Sequence, residues 1–340
     1  MARMDVGAAF GPACEHTVRV LFRPFVFGKW LALGFVSLLS YGGMNFHANF
    51  PGPGGGTPSR PGAESEWILQ HLPLVIAGLL AVLAIIVLLA WLSSVLSLVY
   101  VDQITRSSAA IREPFARLKG LGKSFLLWQL GFVLAILILG GLLALPIVWA
   151  FSLPAGASIA IKILVVVAAV VIGIPLLILM MLVALFARDF VVPTMYARGV
   201  KVIEAWRVVL GVIRTNAGQT ALYALCLIPI NLGMLLASVV VLVVLAVVFA
   251  IPVGLLALGS YLIWQAAHLT WTTLTIGVVV ALAVMVVAAL TYVGQCVLQP
   301  AIVFRRAFAL AMIGQADESL VTIPIGQLPN TASPQPIPGE

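Results

Sequence analysis

The chain has 340 residues, of which 63% are hydrophobic and only 9% charged, and its mean hydropathy is +1.19. Soluble domains carry roughly 25% charged residues, so this composition excludes a water-solvated enzyme surface and requires an apolar solvent. The net charge of +7 is scattered through short segments between apolar runs, which is the pattern of membrane-protein loops and not of a nucleic-acid-binding patch.

A helix that crosses a bilayer needs about 20 mostly apolar residues. Six stretches qualify, at about 25–46, 73–98, 124–151, 160–187, 219–250 and 272–303. The sequence therefore predicts an all-α, polytopic transmembrane helical bundle over 25–313: three helical hairpins with amphipathic inner-face helices, preceded by a cytoplasmic amphipathic segment over 1–24. The first apolar run starts near Phe25 with no small-residue cleavage pattern after it, and so reads as a retained span and not a signal peptide. Segments 1–29, 102–123 and 188–216 have net charges of +2, +3 and +3, whereas Arg60, Lys162, Glu64 and Glu66 cancel in the alternate segments. The positive-inside rule then puts both termini in the cytoplasm of a cell with the chain in its inner membrane.

The connecting segments differ in kind. PGPGGGTPSRPG (51–62) is a Pro/Gly-rich linker on the outer side. Within 252–271, Tyr261, Trp264, His268 and Trp271 recur at about helical spacing, which suits a separate interfacial helix on the outer face. The proline-rich segment 314–340 is expected to be a disordered cytoplasmic tail.

An internal repeat is visible at the inner ends of the even spans. Val101, Pro193 and Pro300 are followed five residues later by Arg106, Arg198 and Arg305, and Leu33-Gly34-Phe35-Val36 is echoed by Leu130-Gly131-Phe132-Val133. The repeating unit is an inner amphipathic helix, a span outward and a span back. In the first copy Val18, Leu21, Phe22 and Phe25 form an apolar stripe opposite Glu15, Arg19 and Arg23. Around 202–213 the stripe is Val202, Trp206, Leu210 and Ile213, opposite Lys201, Glu204 and Arg207. In the middle copy Pro114 suits a first turn, and Gly120 and Gly122 are expected to end the helix.

Candidate chemistry is sparse. A basic residue beside an anionic leaflet gains about 1 kcal/mol, which makes Arg106, Arg112, Arg198, Lys201, Arg207 and Arg305 candidate contacts for lipid headgroups on the cytoplasmic side. Pro175, Pro229 and Asn231 form a candidate interior kink site, since proline in a span frees a carbonyl that a solute can use. Gln129, Gln295 and Gln299 can hydrogen-bond between helices. His16, His47, His71 and His268 are scattered, and Cys14, Cys226 and Cys296 have no pairing pattern, so neither a metal site nor a disulfide is expected. No phosphate loop, nucleophile elbow or calcium loop is present in the sequence. No catalytic residue and no cofactor is expected, and partners are expected to be membrane lipids, not nucleic acid.

The segments LFRPFVFGKWLALGF (21–35), IREPFARLKGLGKSFLLW (111–128) and FVVPTMYARGVKVIEAWRVVLGVIRTN (190–216) resemble an uncharacterised family of bacterial and archaeal polytopic membrane proteins. That family is distantly similar to the membrane domain fused to some glycerophosphodiester phosphodiesterases. The resemblance implies the helical membrane fold over most of the chain up to about Ala311 and supplies no catalytic residues, the phosphodiesterase catalytic domain being missing. The expectation is a non-enzymatic membrane scaffold or anchoring partner. The alternative is a transporter or lipid-handling protein that uses the interior between the hairpins.

Overall fold

A computed structural model of the chain describes residues 4–42, 71–152, 159–266 and 273–320, and these are helical with no strand. In chain order the helices are α1 (Val6–Phe22), α2 (Phe27–Gly42), α3 (Leu72–Arg106), α4 (Arg112–Ser152) and α5 (Ile159–Phe186). A π-turn over Ala187–Val191 joins α5 to α6 (Val192–Arg198), and α7 (Val202–Thr215), α8 (Ala217–Ala266), α9 (Thr273–Val297) and α10 (Gln299–Gly314) follow. Five of the helical stretches are long and apolar enough to cross a membrane, and a sixth is added if α1 and α2, bent by 118° between them, count as one broken span.

The core lies at the charged end of the bundle and not along the spans. Buried apolar residues concentrate in α1 (Ala9, Ala13, Val20, Leu21), the last turns of α3 (Val95–Ile104), the π-turn with α6, and α10 (Ile302–Ile313). The most apolar stretch of each candidate span has no buried residue. Substantial helix contacts run in the order α5–α4–α3–α2–α9–α8. Hairpins closed around a shared interior were expected; the packing among described residues is instead an open row whose outer members are α5 and α8.

The two ends of the described chain are interlocked. The first turn of a helix has N–H groups without intrahelical partners, and in α1 these are met by side chains from distant segments. Met4 N–H donates to Asn216 Oδ1 (3.1 Å), Asp5 N–H to Gln315 Oε1 (2.7 Å) and Val6 N–H to Gln219 Oε1 (3.3 Å). Asp5 caps Gly7 N–H at 2.8 Å, and α1 packs along α10, with Phe10 edge-on to Phe304 at 5.2 Å. The N-terminal and C-terminal helices therefore lie at the same end of the bundle.

Several expectations change. The segment 252–266 is not a separate interfacial helix, because α8 runs unbroken through Pro229 and Pro252 to Ala266. At 1.5 Å per residue its 50 residues amount to about 75 Å of helix, more than the 40–45 Å of a whole bilayer. His268 and Trp271, the linker 51–62 and residues 321–340 lie outside the described residues. The segment after Gly314 begins ordered: Gln315 Nε2 donates to Asp5 O at 3.1 Å and Leu320 is buried.

Gly120 and Gly122 do not end a helix either, since α4 continues from Arg112 to Ser152. Gly122 serves close approach instead: a Cβ there would overlap Val95 Cγ2 and lie 2.9 Å from Val95 Cα on α3. Gly34 meets Cys296 in the same way, while its sequence counterpart Gly131 faces open space, so the Leu-Gly-Phe-Val echo does not carry equal packing. On α7 the buried face is Val202, Ala205, Val209 and Val212, with Leu210 exposed and Trp206 and Ile213 partly buried. On α1 Leu21 is buried, whereas Val18, Phe22 and Phe25 are exposed. Both helices thus divide their apolar surface between the protein core and an outward stripe.

Candidate functional site

The charged end holds two buried aspartates, each clasped by arginines and a tyrosine. Asp102 comes from the last turns of α3. That helix ends at Ser107, whose positive φ of 52° reverses the chain and sends its N–H back to Gln103 O and Ile104 O. Ala110 N–H then donates to Ser108 Oγ (3.1 Å) and Gln103 Nε2 to Ala110 O (3.3 Å), fixing a tight connection into α4. The turn brings Arg117, one helical face into α4, onto the Asp102 carboxylate, where its Nη2 donates to Oδ1. Arg106 Nε reaches the same oxygen at 3.1 Å, and Tyr196 of α6 donates its hydroxyl to it at 2.9 Å. Thr105 Oγ1 lies 3.3 Å from the Tyr196 hydroxyl. The Asp102 side chain is 2% exposed, against 51% for Arg106 and 43% for Arg117.

Asp189 sits in the π-turn, and Pro193 explains why the turn is there. An α-helix would need an N–H from residue 193 to the Asp189 carbonyl, and the proline ring would press on that carbonyl. The helix widens instead, so that Val192 N–H bonds to Ala187 O. The Asp189 carboxylate accepts the Tyr223 hydroxyl at 3.2 Å and lies 3.5 Å from Arg305 Nη2 and 3.8 Å from Arg306 Nη1. Arg306, also buried, donates to the Arg188 carbonyl at 2.6 Å. Phe190, Tyr223 and Phe308 stack around the group, with centroids 5.0 and 5.3 Å apart. A third pair joins Arg198 Nη2 to Asp317 Oδ2 at 2.6 Å. There Ser319 first, and Arg198 after it, hold the Asp317 carboxyl below the usual carboxylate range.

Beyond these pairs a polar seam crosses the helices. Gln299 Nε2 donates to Ser37 Oγ (2.6 Å), Tyr100 to Gln299 Oε1 (3.4 Å), Ser93 Oγ to Ser40 O (3.1 Å) and Ser94 Oγ to Gln129 Oε1 (2.5 Å). Such bonds tie α2, α3, α4 and α10 together where lipid could not satisfy the same groups.

Of the arginines and lysine singled out from sequence, Arg106, Arg198 and Arg305 each pair with an aspartate, while Arg112, Lys201 and Arg207 are exposed on α4, before α7 and on α7. Pro175 on α5, and Pro229 and Asn231 on α8, are exposed. Asp102, Asp189, Arg117, Arg306, Tyr196 and Tyr223 were not singled out. A signal was present: Asp102 is the one charge in LSLVYVDQI, and Arg188 and Asp189 together interrupt the apolar run in ALFARDFVV, where an unpaired charge is costly.

Between these groups a cavity of about 670 Å³ opens at the foot of α3, α4 and α6. It is lined by Arg106, Arg117, Thr105, Tyr196 and Ser319 with an apolar wall at Leu118 and Leu121. Among the described residues no group of three histidines, cysteines or acidic residues is placed to hold a metal.

The fold is thus that of a helical protein with five or six helices able to cross a membrane and an ion-paired core at one end. The chain belongs to a family of unknown function, DUF7544, whose model matches residues 4–323. No curated protein matches it, and no solved structure does.

Proposed function

We propose that the chain is a non-enzymatic scaffold or anchoring partner of the cytoplasmic membrane, with both termini in the cytoplasm, that holds other membrane proteins against its spans. The observation that carries this reading is the separation of a packed end from open spans. Ion pairs, caps from distant segments and nearly all buried side chains lie at the charged end, while the apolar helices keep their lateral faces exposed. Those faces include grooves between helices. One of about 340 Å³ lies between α8 and α9 at Val241, Leu245, Val287 and Leu290, and one of about 600 Å³ between α3 and α4 at Leu83, Val87, Trp91 and Leu126. Apolar surface of this extent is solvated by lipid or covered by another helix.

Net positive charge in 1–29, 102–123 and 188–216 supports the cytoplasmic placement of the packed end.

Native mass spectrometry of the protein extracted from its own membrane tests the scaffold. Defined assemblies above the 36.0 kDa protomer are expected, with a fixed number of partner chains or copies. A bare protomer carrying lipid alone, under conditions that preserve known membrane complexes, would refute it.

A further inference from the structure

We propose that the cavity at the foot of α3, α4 and α6 is a binding site for a phosphate group, carried by an anionic lipid headgroup or free in solution. Two arginines, Arg106 and Arg117, stand in its wall with Thr105, Tyr196 and Ser319, and among the described residues no carboxylate lines it. The balancing acid, Asp102, lies behind that wall with its side chain 2% exposed. Its Oδ1 accepts one N–H from Arg117 and the hydroxyl of Tyr196, and lies 3.1 Å from Arg106 Nε.

This arrangement suits anion capture better than a simple ion pair does. A guanidinium has five N–H donors in a fixed fork, and the single buried carboxylate engages only part of each. It offsets the repulsion between the two cations and holds them at a set separation, so little side-chain entropy remains to be lost on binding. The half-exposed remainder of each fork meets phosphate geometry, for which arginine is the preferred partner. One carboxylate against two guanidiniums leaves the immediate group with an excess positive charge; Glu113 is the next acid to act on Arg106, and its effect is the weakest of those felt there.

Size and setting agree with a ligand that is polar at one end. A volume of about 670 Å³ is within the range of small-molecule pockets. Leu118, Leu121 and Ala197 give the cavity an apolar side, and Leu121 lies a few residues before the apolar run 124–151. A glycerophosphate entering from the membrane surface could therefore keep its acyl chains toward the spans while its phosphate meets the two arginines. The site does not depend on the scaffold reading, since a protein with no protein partner can still bind phosphate here.

The test uses the full-length protein in neutral detergent, titrated separately with inorganic phosphate and with dihexanoyl phosphatidic acid, binding being read from the unfolding midpoint. In parallel, nanodiscs of phosphatidylcholine with and without phosphatidic acid are analysed for retained lipid. Saturable binding of either probe is expected, weakened about tenfold or more by Arg117→Gln, which removes charge-assisted hydrogen bonds. Leu121→Trp fills the cavity without touching the Arg–Asp–Tyr group and is expected to weaken binding comparably, so it decides the matter if Arg117→Gln does not fold. Lys119→Gln removes an exposed cation of the same helix outside the cavity and should leave binding within about twofold. Phosphatidic acid binding that excess phosphate does not displace identifies the lipid headgroup, and equal displacement by phosphate identifies the free anion; both support the site. No binding of either probe, retention of phosphatidylcholine equal to phosphatidic acid, or equal affinity in Leu121→Trp and Lys119→Gln would overturn it.

Discussion

Gly120 and Gly122 are two residues apart on one helix, yet alanine at each should move stability in opposite directions. In a helix interior glycine is destabilising by roughly 0.5–1 kcal/mol relative to alanine. At Gly120 nothing lies within 4 Å of an added Cβ, so Gly120→Ala should stabilise by about that amount. At Gly122 the same methyl overlaps Val95 Cγ2 and lies 2.9 Å from Val95 Cα. A rotamer change of Val95 relieves only the first clash, because the second is with backbone and requires α3 and α4 to separate. Overpacking of this kind costs about 1–3 kcal/mol, which exceeds the propensity gain. The net for Gly122→Ala is a loss of up to about 2 kcal/mol, and Val95→Ala should rescue it only in part. Thermal unfolding of the detergent-solubilised protein, followed by fluorescence or by loss of the monodisperse chromatographic peak, measures all three. Equal stabilisation by both alanine substitutions would refute the close α3–α4 packing.

Three further outcomes follow from the same structure. Asp102→Asn leaves two guanidiniums facing a neutral amide and should cost about 2 kcal/mol, the half-exposure of both arginines tempering a buried-pair loss; Asp317→Asn, whose pair is about a third exposed, should cost under about 1 kcal/mol in the same unfolding assay. His16 is buried and donates Nε2–H to Ile104 O at 2.9 Å, and burial, acting first, lowers its pKa below 6.5. The unfolded chain then binds the proton more readily, so stability is full above pH 6.5 and falls as pH drops toward the lowered value. A midpoint-against-pH series from 8 to 5 in which His16→Gln keeps the same slope would contradict this. For orientation, cysteines introduced at Thr57 and Ala155 in a chain freed of its native cysteines should react with an impermeant reagent on intact cells, and those at Ser108 and Ala197 should not; outside labelling at Ser108 would reverse the topology.

Much of the fold was legible because hydropathy acts over whole segments. The all-helical class follows from apolar runs that leave backbone groups no partner but their own helix in lipid. What was not legible depends on single distances. Gly122 reads as a helix stop from sequence and as a contact point in space, since the same absent Cβ serves both. The aromatic spacing within 252–271 suggested a separate helix, yet α8 runs on through Pro252 to Ala266, because proline in an apolar helix removes one hydrogen bond without ending the run. On α7 the moment was legible but not the face: the stripe through Trp206 and Leu210 and the one through Ala205 and Val209 are neighbours on one helix, and only the position of the packed core selects between them.

The charges carry two readings, one by segment and one by residue. Counted by segment, they predict which ends of the helices share a side; counted singly, Arg106, Arg112, Arg198, Lys201, Arg207 and Arg305 were candidate contacts for lipid headgroups. The structure divides them. Arg106, Arg198 and Arg305, each five residues beyond Val101, Pro193 and Pro300, all have aspartate partners, but the partner comes from the preceding turn for Arg106, from beyond α10 for Arg198 and from the π-turn for Arg305. No fixed spacing could have revealed three different sources of one carboxylate. The physical requirement is nevertheless uniform: where a positively charged helix end packs into a core and does not lie open on the membrane, the guanidinium must bring its own counter-charge. Arginines that meet this requirement hold the packed end together, and the exposed Arg112, Lys201 and Arg207 remain as the groups whose charge can act on the membrane surface. Arg106 and Arg117 belong to both sets, buried on one side against Asp102 and open on the other, which is why the cavity forms between them.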